Sequence, residues 1–246
     1  MKLKKNIKVQ KIAIIIPTFN ELGNIESLIQ EIQNNLPEST IFIVDDSKTK
    51  EIGNLIRSKN LRAKYFHREN SRGRGSAVLF GINKALEENR FNIFIEMDAD
   101  FSHDPKELKK NIKYFSTNTL DLLIASRYLK DSKIINWGLN RRILSKLSNL
   151  LARNLLGIKI KDFTNGFRIY SKRAAEKITK KCGNIGGGFI ILSEIIVVIK
   201  NNSFNIGEIK TIFVNRIRGE SSVNIRLIIA SLYGILKLYF IKKKLS

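Results

Sequence analysis

Two aspartates that follow an apolar segment near the middle of the chain have the types and spacing of metal ligands. Residues 91–97 are rich in aromatic and β-branched side chains, and Asp98, Ala99 and Asp100 come after them. Side chains two residues apart on an extended chain point to the same side, so both carboxylates face one place. Mg²⁺ or Mn²⁺ carrying a diphosphate takes a few carboxylate oxygens and fills its other positions with phosphate oxygens. A solvated loop after a strand is the alternative for so short a motif.

The elements that must position this pair alternate between strands and helices. This alternation predicts an α/β fold, with a mostly parallel central sheet and helices on both of its faces. Ligands of such sheets bind beyond the carboxyl ends of the strands, so we expect the acidic strand ends to meet in one crevice. The predicted strands are 11–16, 41–44, 64–67, 91–97 and 120–126, and the predicted helices are 24–36, 50–58, 76–88 and one starting at Asp104-Pro105. The polar segments at the strand ends are 17–21, 45–47 and 98–100.

The second half of the chain is less regular. Apolar spacing predicts helices over 141–156 and 189–200 and a strand over 208–215, and a polar loop occupies 162–168. The composition becomes apolar and basic near residue 223. We therefore expect a catalytic domain over 11–222 and a separate tail over 223–246.

Charge and cysteine content narrow the classes of partner and compartment. The chain has 246 residues and a formal net charge of +22, which predicts attraction to nucleic acid, an anionic membrane or a phosphorylated substrate. Hydrophobic residues make up 43% of the chain, which excludes disorder as its main state. The single cysteine, Cys182, excludes an internal disulfide and fits a reducing compartment. No nucleic-acid-binding module is recognisable, so a basic nucleic-acid-binding protein is the unfavoured alternative and no nucleic acid is expected as partner.

Several motifs together resemble a known enzyme family. Segments 15–21, 44–47 and 97–105 look like those of the inverting, GT-A-type family-2 glycosyltransferases. A second group of motifs is similar to that of the polyprenyl-phosphate (dolichol-phosphate) mannose synthases, and the resemblance covers roughly residues 11 to 222. This second group comprises 126–128, Trp137 with Arg141 and Ser145, 162–168, and Arg216 with 219–221.

The resemblance implies inverting transfer of a hexose, most simply mannose from GDP-mannose, to a polyprenyl or dolichyl monophosphate at a membrane surface. It implies that Asp98 and Asp100, with Ser102, hold Mg²⁺ or Mn²⁺ on the donor diphosphate. The nucleotide sugar would be bound by the same aspartates with the residues that follow the first two strands. This set consists of Pro17, Phe19, Glu21, Asp46, Asp98, Ala99 and Asp100.

The implied acceptor is a lipid phosphate, which is already ionised at neutral pH and needs no strong general base. Guanidinium groups bind phosphate bidentately, so Arg127, Arg141 and Arg216 are the candidates, with Ser145 one helical turn after Arg141. The set assigned to the acceptor phosphate itself is Arg127, Arg141 and Ser145. Arg127 could instead cap a strand end, and Arg141 could be an exposed helix charge. Arg168 could equally touch substrate or brace the loop 162–168.

Departures from the family pattern keep the donor open. The turn after the second strand reads Asp46-Ser47-Lys48-Thr49-Lys50 in place of the usual Ser-x-Asp-Gly-Thr, and Phe19 replaces a commoner tyrosine. UDP-glucose or a UDP-amino sugar as donor, or another acceptor, is therefore the alternative within the family.

The composition of the tail over 223–246 indicates how the protein could associate with a membrane. Residues 224–241 contain Arg226 and Lys237 and are too charged for a clear membrane span, so we expect an amphipathic helix at the membrane interface. Its expected polar stripe is Arg226, Ser231, Gly234 and Lys237, with the lysine cluster 242–244 facing anionic lipid. The alternative is a helix packed on the catalytic domain or on another subunit, such as a small membrane partner. No secretory signal is evident, so we expect a cytoplasmic protein bound peripherally to the cytoplasmic face of a membrane.

Overall fold

The computed structural model describes residues 11–69, 72–186, 188–215, 225–242 and 245, and only the backbone of 225–232. Within these ranges a seven-stranded sheet has the order β3-β2-β1-β4-β7-β5-β8. β7 runs antiparallel to both of its neighbours, and the other pairs are parallel. The mostly parallel sheet expected from the sequence is therefore confirmed. The strands are β1 Ile12–Thr18, β2 Thr40–Asp45, β3 Ala63–His67, β4 Ile93–Glu96, β5 Leu122–Ser126, β6 Lys133–Ile135, β7 Arg168–Ser171, β8 Ile206–Lys210 and β9 Ile212–Val214.

Helices cover both faces of the sheet, because its central strands are apolar on both sides. Ala13 and Ile15 of β1 enter one hydrophobic cluster, while Ile14 and Ile16 enter the other. This alternation explains why a buried parallel strand is an unbroken apolar run. One face carries α3 Arg74–Glu87, α5 Leu139–Leu156, α6 Lys172–Lys181, α7 Ile190–Asn201 and α8 Ile225–Ile241. The other carries α1 Leu22–Asn35, α2 Glu51–Ser58 and α4 Leu108–Thr117, preceded by a 3₁₀ turn over Pro105–Glu107.

Four parts of the fold depart from the sequence-based expectation. The strand expected over 208–215 is two strands, β8 and β9, and β9 pairs with β6 in a small second sheet. β6, β7 and α6 were not anticipated. β7 has only four residues, of which Arg168 and Ser171 are polar, and α6 is mostly charged, with Ala174, Ala175 and Ile178 as its buried residues. β7 is too short to show apolar periodicity, and the apolar residues of α6, although helically spaced, are few among its charged and polar residues.

The predicted C-terminal helix is present as α8, which packs against α5 and α7. Ile235 and Leu238 are buried in the same cluster as the core of the domain. A side chain on Gly234 would meet Ile190 at 2.7 Å, so Gly234 lies on the packed face, and its place in an exposed polar stripe was wrong. The amphipathic character of the whole helix and the domain boundary near residue 223 stay predictions. No helix in the described part of the chain is long and apolar enough to cross a membrane.

Gly81 lies where α3 packs closely against β1 and β2 of the sheet. A Cβ at Gly81 would lie 2.6 Å from Ile15 Cγ2 and 2.9 Å from Val44 Cγ2, which forces two buried side chains to move. Overpacking of this kind costs about 1–3 kcal/mol, against which alanine returns up to about 1 kcal/mol of helix propensity. We expect Gly81→Ala to lower the free energy of unfolding by about 1–2 kcal/mol in urea titrations.

Gly23→Ala in α1 is the matched control, because its Cβ would meet nothing within 4 Å. It should raise stability or leave it unchanged. An equal response of the two variants would contradict the close approach of α3 to β1 and β2.

Candidate active site

The candidate site lies at the carboxyl ends of β1, β2 and β4. β1 pairs with β2 on one side and β4 on the other, so the order of the strands reverses beside β1. A crevice opens at such a switch point in parallel sheets. Thr18, Asp45 and Glu96 are the last residues of the three strands. The expected meeting of the polar strand ends is therefore confirmed.

The loop after β4 is held by His103 and Arg74. The Asp98 backbone N–H donates to His103 Nδ1 over 3.3 Å, which leaves Nε2 to carry the proton and donate to Asn165 Oδ1 over 2.9 Å. The Ser102 backbone N–H donates to Asp100 Oδ1 over 3.1 Å. His103 is buried against Phe167 and Phe213. It therefore fixes the shape of the aspartate loop.

Arg74, which belongs to the Arg-Gly-Arg-Gly segment 72–75, is a further residue of the site. Its Nε donates to Asp98 Oδ1 over 2.7 Å, and its Nη2 donates to the Gly166 carbonyl over 3.1 Å. Its Nη1 lies 3.9 Å from Oε1 of Glu96, which is completely buried. Burial raises the pKa of Glu96, and the guanidinium groups of Arg74 and Arg168 only partly offset this effect. One guanidinium thus connects the loop after β4 with the loop before β7.

Arg168 braces its own loop. Its side chain is completely buried and donates to three backbone carbonyls, at 2.7–2.9 Å. The acceptors are the carbonyls of Asn165, Leu192 and Phe163. Of the two roles considered from the sequence, these contacts support bracing.

Arg127 forms a buried, bidentate ion pair with Asp162. Its Nε and Nη2 each lie 2.8 Å from an Asp162 oxygen, and its backbone N–H donates to the same carboxylate over 2.9 Å. Nη2 also donates to Thr164 Oγ1 over 2.7 Å. Burial alone would raise the pKa of Asp162. The Arg127 guanidinium and these hydrogen bonds outweigh that effect and hold this pKa below its usual range. Most of the charge of Arg127 is therefore balanced within the protein.

Trp137 joins the candidate acceptor residues into one cluster. The Arg141 guanidinium lies 4.2 Å from the Trp137 ring centroid and that of Arg127 lies 5.3 Å away, both within cation–π range. Arg141 Nη1 also donates to Asn215 Oδ1 over 3.2 Å. The Tyr128 hydroxyl donates to Ser145 Oγ over 2.6 Å. The structure thus brings Arg127, Arg141 and Ser145 together, while Arg216 lies outside the described residues.

The candidate nucleotide side is built around Asp46. Arg68 donates to both Asp46 oxygens at 2.7 Å, and the Gly73 N–H donates to Oδ2 at 2.9 Å. Glu21 accepts from Asn24 Nδ2 over 2.8 Å. Phe19 leaves 50% of its surface exposed, as a stacking platform requires. Pro17 is half-buried and Ala99 is buried. Arg68 was not identified from the sequence, since nothing in its surroundings marked it as the partner of Asp46.

The donor set near Asp98 fits a hard divalent cation that completes its shell with substrate oxygens. In the described ranges, no group of three or more histidine, cysteine or acidic side chains could hold a metal alone. Asp98 and Asp100 stand at the end of β4, and each is partly exposed. Ser102 Oγ is buried and has no hydrogen-bond partner among the residues described. Two carboxylates and a hydroxyl leave several positions open, as a diphosphate-bound cation requires.

Comparison with known families decides the class of protein. The family model described as Glycosyl transferase family 2 matches residues 13–179, which is more than half of the chain. The chain belongs to glycosyl transferase family 2. It is a glycosyltransferase, and the GT-A fold expected from its sequence is confirmed.

Individual relatives of this glycosyltransferase are similar over most of its length. Polyprenol monophosphomannose synthase of Mycolicibacterium smegmatis is 32% identical over 219 residues, covering 87% of this chain and 82% of the relative. Undecaprenyl-phosphate mannosyltransferase of Micrococcus luteus is 31% identical over 163 residues, covering 65% and 66% of the two chains. Glucosyl-3-phosphoglycerate synthase of Mycobacterium tuberculosis, solved with Mn²⁺ and UDP, aligns with a TM-score of 0.65 at 16% identity, covering 96% of this chain and 80% of that chain. This last likeness concerns the fold alone.

Gly166→Ala tests the contact between Arg74 and the aspartate loop. The added Cβ would lie 1.9 Å from Arg74 Nη2, so the guanidinium must leave its position and Asp98 loses the hydrogen bond from Arg74 Nε. A charge-assisted hydrogen bond is worth about 1.5–3 kcal/mol, so we expect the glycosyltransferase to lose about tenfold to hundredfold in kcat/KM. Circular dichroism should show an intact fold.

Gly138→Ala is the control, because its Cβ would meet nothing within 4 Å. Unchanged kcat/KM in Gly166→Ala would show that Arg74 does not support the site.

Asp162→Asn tests the buried ion pair through its dependence on pH. Because the folded-state pKa of Asp162 is depressed, the pair stabilises the fold fully above the ordinary aspartate pKa of about 3.9. This contribution is lost as pH falls through the folded-state value. At neutral pH the variant should lose about 3 kcal/mol of unfolding free energy, since Arg127 is left buried without its partner.

Urea titrations at neutral pH and in acid should show the gap between wild type and Asp162→Asn narrowing as pH falls. The exposed Asp131→Asn serves as the control and should change stability little at either pH. A gap of the same size at both pH values would contradict a depressed pKa for Asp162.

Proposed function

We propose that this glycosyltransferase transfers mannose from GDP-mannose to a polyprenyl or dolichyl monophosphate, with inversion at the sugar carbon. Of two relatives similar over most of the chain, one is named a polyprenol monophosphomannose synthase and the other an undecaprenyl-phosphate mannosyltransferase, and both names join mannose to a polyprenyl lipid. The crevice contains an acidic side and a basic, aromatic side, which suits two substrates of different chemistry.

The observation that carries the proposal is the stacking of Arg127 and Arg141 on Trp137. Two guanidinium groups lie against one indole ring next to the crevice. We assign Arg141 to bind the acceptor phosphate, because its guanidinium lies against Trp137 and it stands one helical turn before Ser145. Trp137 Nε1 is buried, with no hydrogen-bond partner among the described residues, and a phosphate oxygen would satisfy it. Ser145 supplies a hydroxyl one turn along α5.

The donor would lie on the acidic side. Phe19 stacks against the nucleotide base, and Pro17, Glu21 and Asp46 line the base and ribose. Asp98 and Asp100, with Ser102, would hold Mg²⁺ or Mn²⁺, which offsets the charge that builds on the departing diphosphate. Arg74 keeps Asp98 oriented. The buried Ala99 keeps the segment between the two aspartates small and apolar.

The proposed step conserves atoms and charge without an added base. An oxygen of the ionised lipid phosphate forms a bond to C1 of mannose from the face opposite the nucleotide. The bond between C1 and the diphosphate oxygen breaks, and GDP leaves with that electron pair. No proton has to be removed from the ionised acceptor, so the step needs no histidine base. Both ring nitrogens of His103 are engaged in hydrogen bonds, Nδ1 with the Asp98 backbone N–H and Nε2 with Asn165 Oδ1.

The acceptor lives in a bilayer, so we propose that the enzyme acts as a peripheral protein on the cytoplasmic face of an anionic membrane. The basic composition supports this location, since the formal net charge is +22. A small membrane subunit is a further candidate partner. The outward residues of α8 are available to lipid or to such a subunit.

A transfer assay with purified full-length protein tests the proposal. Radiolabelled GDP-mannose, UDP-glucose and UDP-N-acetylglucosamine are each offered with undecaprenyl or dolichyl phosphate in detergent, and product is counted in the organic phase. We expect label from GDP-mannose, its loss in EDTA and its return with Mn²⁺ or Mg²⁺. Asp100→Asn should lower the rate at least about a hundredfold, because the cation supplies several kcal/mol to the transition state.

Asp131→Asn is the matched control for this substitution and should keep the wild-type rate. Arg141→Gln should raise KM for the lipid phosphate more than KM for the nucleotide sugar. Full activity in chelator, or transfer only to an acceptor without phosphate, would contradict the mechanism. Transfer from a UDP-sugar alone would favour the alternative donor.

A further inference from the structure

The outer face of α5 is apolar although it faces solvent. Leu139, Ile143, Leu147 and Leu150 recur every three or four residues, which places them on one face of the helix. Leu139 is 71% exposed and Leu147 is 56% exposed. The residues that α5 buries are Asn149, Ala152 and Leu156, which lie on the opposite side and toward its carboxyl end. Soluble proteins rarely leave so continuous an apolar stripe uncovered without a binding role.

Charges along this helix have one sign. α5 contains four basic residues and no acidic residue in the sequence LNRRILSKLSNLLARNLL. Arg142, Lys146 and Arg153 are spaced by four and seven residues, so they line one edge of the apolar stripe, and all three are exposed. An apolar face with a basic edge is the arrangement of a helix that lies in the interface of an anionic bilayer.

α8 adds a second outward surface on the same side of the sheet. Both helices bury their inner faces in one hydrophobic cluster, so their outer faces turn away from the sheet together. Lys242 Nζ donates to the Leu155 carbonyl over 3.0 Å and joins the ends of the two helices. Tyr233 is 70% exposed and Phe240 is 78% exposed. Aromatic rings of this kind are favoured at the level of lipid headgroups.

We infer that the outer faces of α5 and α8 form a membrane-docking surface for an anionic bilayer, with α5 as its main contact. The α5–α8 surface consists of Leu139, Ile143, Leu147, Leu150, Tyr233 and Phe240. Arg141 and Ser145 belong to the first turns of the same helix, so docking sets the candidate acceptor cluster next to the lipid headgroups. The inference deepens the proposed function and rests on it only for the identity of the acceptor.

A bilayer fits this surface better than a second copy of the chain. Two copies meeting through α5 would bring Arg142, Lys146 and Arg153 of each copy close to those of the other, and like charges disfavour that contact. Anionic headgroups instead match a basic edge beside an apolar stripe. The occupant is therefore expected to be a lipid surface that carries negative charge.

Flotation with full-length protein tests the inference directly. Vesicles of phosphatidylcholine alone and of phosphatidylcholine with phosphatidylglycerol are mixed with protein and centrifuged through a density gradient. We expect binding to the anionic vesicles, weakened by salt, and about tenfold weaker binding for Leu147→Gln/Leu150→Gln. Lys146→Gln/Arg153→Gln should also weaken binding about tenfold, and only to anionic vesicles.

Matched controls come from α4, on the opposite face of the sheet. Tyr114→Gln removes an exposed aromatic ring, and Lys110→Gln/Lys113→Gln removes two exposed charges, and neither should change flotation. If the α4 charge pair weakens binding as much as the α5 pair, net charge and not this surface is responsible, and the inference fails. Unchanged flotation of Leu147→Gln/Leu150→Gln overturns it as well. The inference also fails if the wild-type protein sediments as a dimer and this variant sediments as a monomer.

The point variants are preferable to removal of the tail. Ile235 and Leu238 are buried in the core, so deletion of residues 223–246 would expose that core and confound loss of docking with loss of folding. Transferase activity on acceptor in detergent separates the two proposals. The α5 variants should keep that activity and lose it only on acceptor embedded in vesicles. A wild-type protein that binds vesicles without transferring sugar to a lipid phosphate would sink the proposed function and leave the docking surface standing.

Discussion

The buried ion pair between Arg127 and Asp162 is the interaction on which both sides of the crevice depend. Asp162 also accepts backbone N–H groups of Thr164 and Asn165, so it sets the shape of the loop before β7. From that loop, Asn165 holds His103 and the Gly166 carbonyl holds Arg74, and these two contacts fix the aspartate loop after β4. Arg127 itself borders Trp137 on the acceptor side. A buried pair contributes modest net stability but is costly to break, which suits a part that must keep one geometry.

This arrangement assigns unequal roles to basic residues that look alike in the sequence. Arg168 and Arg127 are satisfied by partners within the fold, and Arg68 is satisfied by Asp46. Arg74 lies against Glu96 and Asp98, so its charge is shared with the donor side. Arg141 lies against the Trp137 ring and donates to the Asn215 amide oxygen. The five arginines therefore differ in their contacts although their side chains are the same, and the excess of positive charge over the chain acts at longer range.

The sequence predicted those parts of the fold that are coded by local periodicity. Strands such as β1 and β2 are unbroken apolar runs, and the aspartate pair after β4 has a spacing with chemical meaning. β7 could not be predicted in this way, because its polar Arg168 is buried and one of its carbonyl acceptors, that of Leu192, is 24 residues away. The pairs Arg74–Asp98 and Arg68–Asp46 were not predicted for the same reason, since pairing of side chains 24 and 22 residues apart leaves no periodic signal in the sequence. The sequence also did not show which apolar residues of α5 are exposed to solvent. Leu147 and Leu156 look alike in the sequence, although Leu156 is buried and Leu147 is exposed.

α5 carries three kinds of surface around one axis, and the relation between them is geometric. Its inner face, with Ala152 and Leu156, is buried in the hydrophobic core cluster. Its amino-terminal turns hold Arg141 against Trp137 and Ser145 against Tyr128. Its outer stripe is apolar. Because a helix is stiff over its 18 residues, these surfaces cannot move independently. Arg141 would thus reach a lipid phosphate at the depth of the headgroups, and the lipid would not have to leave the bilayer. The same helix that lies on the membrane would set the distance from the lipid phosphate to the sugar donor.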